Sequence, residues 1–113
     1  MKPQPQAPLT PAVFHILLAL VPGERHGYAI MQEVAAVTNS QFTMGPGTLY
    51  GTLKRMLEAG LVEEAGDHPE DGERRRYYRI TKDGQKAAEA EARRLELLTR
   101  LAQAKFLLRE RWL

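Results

Sequence analysis

Residues 45–62 read Gly-Pro-Gly-Thr-Leu-Tyr-Gly-Thr-Leu-Lys-Arg-Met-Leu-Glu-Ala-Gly-Leu-Val, and the other elements of the chain are interpreted relative to this segment. Pro46 suits the first turn of a helix, where its missing N–H costs nothing. Gly60 stands where a helix commonly ends in the left-handed conformation. Between them, apolar side chains at helical spacing predict one buried face of an α-helix. These apolar residues are Leu49, Leu53, Met56 and Leu57.

The beginning of this helix carries unusually little side-chain bulk, because three of its positions are glycine. A glycine inside a helix costs about 1 kcal/mol relative to alanine. A helix that must approach another surface closely has a reason to accept that cost, and its free N–H groups suit phosphate or base edges. The alternative is an ordinary amphipathic helix with a solvated polar face. We expect a major-groove face, or its phosphate border, formed by Gly45, Gly47, Thr48, Tyr50, Gly51, Thr52, Lys54 and Arg55.

The composition limits the function classes. A chain of 113 residues fits one domain with one extension. The absence of cysteine excludes disulfides and thiolate metal sites. No nucleophile–base group, phosphate-binding loop or metal spacing among His15, His26 and His68 is visible, so we expect neither an enzyme nor a cofactor. The apolar run at 16–21 is too short to span a bilayer and no signal peptide precedes it, which favours the cytoplasm.

The net charge of +2 does not by itself indicate a nucleic-acid-binding protein. Residues 41–81 contain six basic and seven acidic side chains. Any DNA-binding surface must therefore come from segregation of these charges rather than from their excess.

The segment before residue 45 predicts two short helices. Residues 1–9 form a disordered or extended lead-in rich in Pro and Gln. Thr10 and Pro11 begin an apolar helix that extends to about Val21. A second helix extends from about residue 24 to 38, with its inner stripe at Ile30, Val34 and Val37, and Phe42 and Met44 fill the following junction. With the glycine-rich helix, these elements predict a helix-turn-helix in which His26 and Tyr28 contact backbone phosphate.

The hydrophobic period changes from helix to strand after Gly60. Residues 61–65 and 74–81 predict two strands, and residues 66–73 predict the loop between them. A hairpin directly after a helix-turn-helix is the wing of a winged-helix domain. We expect Arg74, Arg75 and Arg76 to contact phosphates or a minor groove from this wing. The alternative is a strand edge that charge protects against aggregation.

The last helix is predicted from residue 82 to about 108, with Thr81 as its N-cap. Its apolar side chains cover an arc of roughly 200°, about twice what packing on one surface needs. A second copy of the chain is the natural partner for the remainder, whereas the alternatives are a helix folded back on its own domain and a membrane-surface helix. The expected dimer interface comprises Leu95, Leu97, Leu98, Leu101, Ala102, Ala104, Phe106, Leu108 and Trp112.

Four motifs resemble those of the PadR family of bacterial transcriptional regulators, and the similarity extends from about Leu9 to Gly84. They are His-Gly-Tyr (26–28), Gly-Thr-Leu-Tyr-Gly-Thr-Leu (47–53), Glu-Ala-Gly-Leu-Val (58–62) and Arg-Tyr-Tyr-Arg-Ile-Thr (76–81). The single helix after Gly84 resembles the short members of the family. One departure is Glu73, which follows Gly72 where the family often has arginine.

The resemblance implies a winged-helix homodimer that binds a palindromic operator, usually as a repressor, and that a small-molecule effector or signal releases. Some short members hold flat aromatic ligands at the dimer interface beside a tryptophan, but Trp112 lies too near the end of this chain to transfer that site.

The expected fold class is thus mainly α with a small β-hairpin. A winged helix-turn-helix domain (10–81) is followed by a long dimerisation helix (82–113). The expected function is that of a dimeric DNA-binding regulator without a membrane partner. The alternative is a winged-helix protein-interaction module that does not bind DNA.

Overall fold

The computed structural model describes residues 8–66 and 75–105. In these residues the chain forms four helices and a three-stranded antiparallel sheet, as the expected winged-helix fold requires. The elements in chain order are α1 (Pro11–Leu20), β1 (Arg25–His26), α2 (Gly27–Val37), α3 (Pro46–Glu58), β2 (Val62–Gly66), β3 (Tyr77–Ile80) and α4 (Lys82–Ala104). Residues 1–7 of the lead-in predicted at 1–9, and most of the predicted wing loop, lie outside the described residues.

Side-chain caps from Thr10, His26 and Thr81 define where α1, α2 and α4 begin. The Thr10 hydroxyl accepts from the N–H of Val13 at the start of α1 (3.2 Å), and the Thr81 hydroxyl accepts from the N–H of Gly84 at the start of α4 (2.9 Å). Both caps confirm the sequence predictions. At α3, Gly45 is the N-cap and makes no side-chain cap bond. Gly60 follows the C-terminal end of α3 and has a φ of +78°, the left-handed conformation expected there.

The core lies between the first three helices, the sheet and the first turns of α4. Its largest fully buried side chains include Ile16, Leu17, Ile30, Leu49 and Leu53. The predicted junction filling is confirmed, because Met44 is buried and Phe42 packs against the core. The prediction for Val37 is wrong: it is the last residue of α2, and 65% of it is exposed.

The sheet has the strand order β1-β3-β2, and β1 was not predicted. A strand of two residues has no periodicity to reveal it, and the prediction placed these residues in a helix beginning near residue 24. In the register, Arg25 pairs with Tyr78 and His26 pairs with Tyr77. This pairing attaches the start of α2 directly to the wing strand β3.

The first three turns of α4 pack on the domain, and the remainder does not. Gly84 lies against the backbone carbonyl of Leu61, so a Cβ at this position would collide with main chain. Ala87, Ala88 and Glu91 are also buried, whereas nearly all residues from Leu95 to Lys105 are exposed. The predicted continuation to Leu108 lies outside the described residues. Among the helices of the described part of the chain, none is long and apolar enough to cross a membrane.

Candidate nucleic-acid interface

The three glycines at the start of α3 are not required by the fold. A Cβ added at Gly45 or Gly47 would meet no atom within 4 Å. A Cβ at Gly51 would meet only the mobile end of Arg55, at 3.9 Å. None of the three has a left-handed φ. Neither internal packing nor backbone conformation therefore explains why glycine stands at these positions.

The exposed face of α3 carries most of the side chains predicted to face DNA. Thr48, Lys54 and Arg55 are exposed, and Tyr50 is 47% exposed. Thr52 is a correction, because only 1% of it is exposed and it cannot reach a duplex. Its hydroxyl faces Arg55, whose Nη2 donates to it at 3.4 Å. The helical period accounts for this burial, since Thr52 precedes the buried Met56 by four residues and shares its face.

A polar cleft of about 210 Å³ lies where α2 begins, beside α3 and β3. The β1–β3 pairing and the packing of α3 bring three separate elements together at this point. The cleft is lined by His26, Gly27, Tyr28, Tyr50, Arg75 and Arg76. The structure thus brings the predicted α2, α3 and wing residues into one surface. Arg74 lies outside the described residues.

His26 has two functions in this cleft. Its Nδ1 accepts from the N–H of Ala29 at 3.2 Å and so caps α2, while its Nε2 lies 2.8 Å from Nη1 of Arg75. Nδ1 therefore faces the backbone of α2, and Nε2 faces the guanidinium of Arg75. Arg75 and Arg76 give the wall of the cleft two positive charges, which favour an anionic ligand.

The ion pairs of the wing distinguish its arginines. Nε of Arg79 donates to Glu63 at 2.7 Å, and its Nη1 lies 3.4 Å from Glu24, so Arg79 is held by acids on both sides. Arg76 lies 3.7 Å from Glu64, is well exposed and lines the cleft. Of these two arginines, Arg76 is therefore the one placed to exchange its partner for a phosphate.

Tyr78 is a close neighbour of Arg76. Burial raises the pKa of the Tyr78 hydroxyl above its ordinary value, while the neighbouring Arg76 guanidinium opposes that rise. Tyr78 therefore remains a neutral phenol, which adds no negative charge to compete for Arg76.

Gly27 packs against Tyr50, a contact that the interpretation of Tyr50 as a DNA-facing residue did not include. The end of the Tyr50 ring occupies the space that a Cβ on Gly27 would need. Tyr50 is thus both half exposed and wedged against the start of α2, which holds α3 in position. The only sequence signal for this contact was the presence of a glycine beside His26.

The apolar stripe of α4 lies beyond the part of the helix that packs on the domain. Leu95, Leu97, Leu98 and Leu101 are exposed, Ala104 is exposed and Ala102 is half-buried. The other predicted interface residues, Phe106, Leu108 and Trp112, lie outside the described residues.

A second cleft, of about 390 Å³, lies between α1 and α2 and is lined by His15, Leu18, Ala19, Glu33, Val34, Val37 and Thr38. Within the described ranges, no group of three or more His, Asp or Glu residues is placed to hold a metal ion.

Comparison with known proteins identifies the family. The sequence profile described as "Transcriptional regulator PadR-like family" matches residues 16–90, which is most of the chain. The chain belongs to this family. The resemblance inferred from the four motifs is thereby confirmed, and the chain is a PadR-like transcriptional regulator.

Individual relatives agree with this assignment. The chain is 37% identical over 86 residues to transcriptional regulator Rv3488 of Mycobacterium tuberculosis, covering 76% of this chain and 77% of the relative. It is 36% identical over 69 residues to uncharacterized protein X of Lysinibacillus sphaericus, covering 61% of this chain and 63% of that relative's length. The crystal structure of a PadR family transcription regulator from Clostridium difficile R20291 is similar with a TM-score of 0.73 and 26% identity, over 86% of this chain and 98% of that one.

Proposed function

We propose that this PadR-like regulator is a cytoplasmic homodimer that binds a palindromic operator in double-stranded DNA and represses transcription until a small-molecule effector releases it. Residues 10–81 bind the DNA, and residues 82–113 form the dimer. The effector part of this proposal rests on the family resemblance alone.

The observation that carries DNA binding is the set of glycines at the start of α3. Gly47 and Gly51 weaken the helix, yet the domain has room for a side chain at both positions. These glycines reduce the stability of the helix and are not needed for packing within the domain. An external surface that approaches the backbone closely explains why they are present. The major groove admits an α-helix, and Thr48, Lys54 and Arg55 flank the glycines on the exposed side.

The cleft beside α3 supplies a position for backbone phosphate. His26, Arg75 and Arg76 line it, and the two guanidinium groups supply positive charge, while Tyr28 is exposed at its rim. Phosphate contacts give affinity and register, whereas base-edge contacts from α3 give sequence selectivity. In this arrangement α3 enters the groove while the start of α2 and the wing strand hold the flanking backbone.

The experiment compares stability with DNA affinity in Gly47→Ala and Gly51→Ala. Gly51→Ala is expected to raise the free energy of unfolding by up to about 1 kcal/mol and to weaken DNA binding. The operator is first obtained by sequencing genomic fragments captured by the purified protein, and affinity is then measured by fluorescence anisotropy. Gln32→Ala on the exposed side of α2 is the matched control, which leaves affinity unchanged. Stabilised glycine variants that bind as tightly as the parent would contradict the proposal.

The dimer is supported by the exposed leucines of α4. These side chains are between 38% and 58% exposed, and burying them against a second copy removes that apolar surface from water. Leu101→Glu is expected to convert the dimer to a monomer in sedimentation equilibrium. Gln103→Glu, two residues away and on the side of the helix opposite the apolar arc, is the control and leaves the dimer intact.

A protein-interaction module that does not bind DNA is the second candidate, because the acids Glu63, Glu64 and Glu24 neutralise two wing arginines. Retention on bulk DNA at low salt, with elution by salt, distinguishes the two functions. A chain that flows through such a column would favour the interaction module.

A further inference from the structure

Glu91 is a buried carboxylate that the proposed function does not use. It lies on α4, and only 3% of it is exposed. Its Oε1 accepts from the backbone N–H of Leu9 at 3.1 Å and from Nε of Arg94 at 3.1 Å, while its Oε2 accepts from Nη2 of Arg94. The Leu9 bond joins residues 82 positions apart and connects the segment before α1 to the helix that follows the wing.

The location of Glu91 along α4 is as informative as its bonds. Gly84, Ala87 and Ala88 precede it on the face that packs against the domain, and Glu91 is the last buried residue of the helix. From Leu95 onward the described helix is separate from the domain. Glu91 therefore lies at the point where α4 departs.

Folding stability alone does not explain a carboxylate here. Burying a charge is costly unless it is paired and hydrogen-bonded, and apolar residues of similar volume commonly replace buried ion pairs without loss. What a carboxylate adds is direction: Arg94, one turn further along the same helix, holds the carboxylate in place, and its Oε1 accepts from the N–H of Leu9. The Leu9 bond defines one orientation of α4 relative to the segment that begins α1.

We propose that Glu91 is a positioning residue: it fixes the angle at which α4 leaves the domain, and thereby the separation of the two α3 helices in the dimer. The inference rests on the proposed function for the existence of that dimer. The helix from Glu91 to Ala104 is about 20 Å long at about 1.5 Å per residue, so a 10° change in its angle moves its far end by roughly 3.5 Å. That displacement matches the rise of one base pair, about 3.4 Å. An operator with fixed half-site spacing needs the angle held within this range.

The test measures the distance between the α3 helices directly and without DNA. The chain contains no cysteine, so Glu58→Cys at the exposed end of α3 provides one spin-label site per subunit. Double electron–electron resonance in the labelled parent is expected to give one narrow inter-subunit distance. Glu91→Ala is expected to broaden or shift this distance by several ångströms, on the order of the roughly 3.5 Å per 10° calculated above. Glu89→Ala, on the exposed side of the same helix, is the control and leaves the distance unchanged.

A second variant covers the case in which Glu91→Ala fails to fold. Glu91→Gln keeps the size of the side chain and an acceptor for Leu9, but its amide group cannot accept from Arg94 as the second carboxylate oxygen does, so partial broadening is expected. Circular dichroism and sedimentation establish that each variant is folded and dimeric. Unchanged distances in a folded, dimeric Glu91 variant would overturn the inference. If the labelled parent shows no dipolar coupling between subunits, the chain does not form the proposed dimer and the inference is also overturned. Neither result depends on DNA binding.

Discussion

The ring of Tyr50 on α3 packs directly on Gly27, and its hydroxyl end occupies the space of the missing side chain. This contact joins the helix proposed to enter the DNA groove to the start of the helix beneath it. It also lies at the wall of the cleft that contains His26, Arg75 and Arg76. One glycine thus fixes the position of a half-exposed aromatic side chain at the centre of the candidate interface.

Gly27→Ala is expected to displace Tyr50 toward solvent and to weaken DNA binding. Only the end of a half-exposed side chain must move, so the stability cost lies near the lower end of the range of about 1–3 kcal/mol typical of overpacking. A double-mutant cycle with Tyr50→Ala checks the cause, because Gly27→Ala costs little once the ring is gone. A coupling below about 0.5 kcal/mol would show that the two residues act independently.

Gly84→Ala is expected to be more costly than Gly27→Ala. The added Cβ would meet the backbone carbonyl of Leu61, which cannot rotate away as a side chain can. We expect a loss of at least about 1–3 kcal/mol in the free energy of unfolding, measured by urea denaturation. Gly47→Ala, where nothing lies within 4 Å, is the control and is not destabilised. A Gly84→Ala variant as stable as the parent would indicate that α4 does not pack this closely on Leu61.

Thr48 and Thr52 provide a matched pair of one exposed and one buried threonine on α3. Thr48→Glu places a negative charge on the proposed DNA-facing surface and is expected to abolish operator binding while leaving the dimer intact. Thr52→Val removes only the hydroxyl that Arg55 contacts, so it is expected to change stability by about 0.5–1.5 kcal/mol and to leave DNA affinity unchanged. Anisotropy with the operator duplex measures both. Loss of affinity in Thr52→Val, or its retention in Thr48→Glu, would show that the DNA-facing side of α3 is assigned incorrectly.

The elements with strong periodicity and caps were predictable from the sequence. Thr10, Thr81 and Gly60 mark helix ends through chemistry that acts within three or four residues, and the structure has these ends where expected. The helical period of α3 also contains the information that Thr52 is buried, because it shares a face with Met56. That error came from grouping residues by proximity to glycine rather than by angle around the helix.

The tertiary relationships were not predictable in the same way. The β1 strand exists because β3 pairs with it, and its two residues carry no pattern of their own. Glu91 appeared as one charge among many on a helix, and its role depends on the N–H of Leu9, far away in the chain. Such contacts follow from the assembled fold, whereas local sequence patterns report only on neighbours.

Glu91 predicts a specific dependence of stability on pH. The hydrogen bonds from Arg94, joined by that from the Leu9 N–H, lower its pKa in the folded state despite its burial. A lowered pKa means that the carboxylate stabilises the fold above the ordinary glutamate value of about 4.3, and that this contribution is lost as the pH falls through the folded-state pKa. Glu91→Gln is therefore expected to unfold at lower temperature than the parent near neutral pH, with a difference that narrows in acid. A difference independent of pH would show that charge is not the basis of the contact.

The arginines that line the cleft predict the salt dependence of DNA binding. Each phosphate contact contributes about 0.9 to the slope of log K against log salt, so replacing both Arg75 and Arg76 by Ala is expected to reduce the slope by up to about two per subunit. Arg79→Ala is the control, because Arg79 is held by Glu63 and Glu24 and should not exchange them for phosphate. The measurement is anisotropy with both operator and unrelated duplexes over a range of salt concentrations. Affinity should fall for both duplexes, since phosphate contacts do not read sequence. An unchanged slope in the double variant would remove the wing arginines from the interface and leave α3 and the start of α2 as the proposed contact surface.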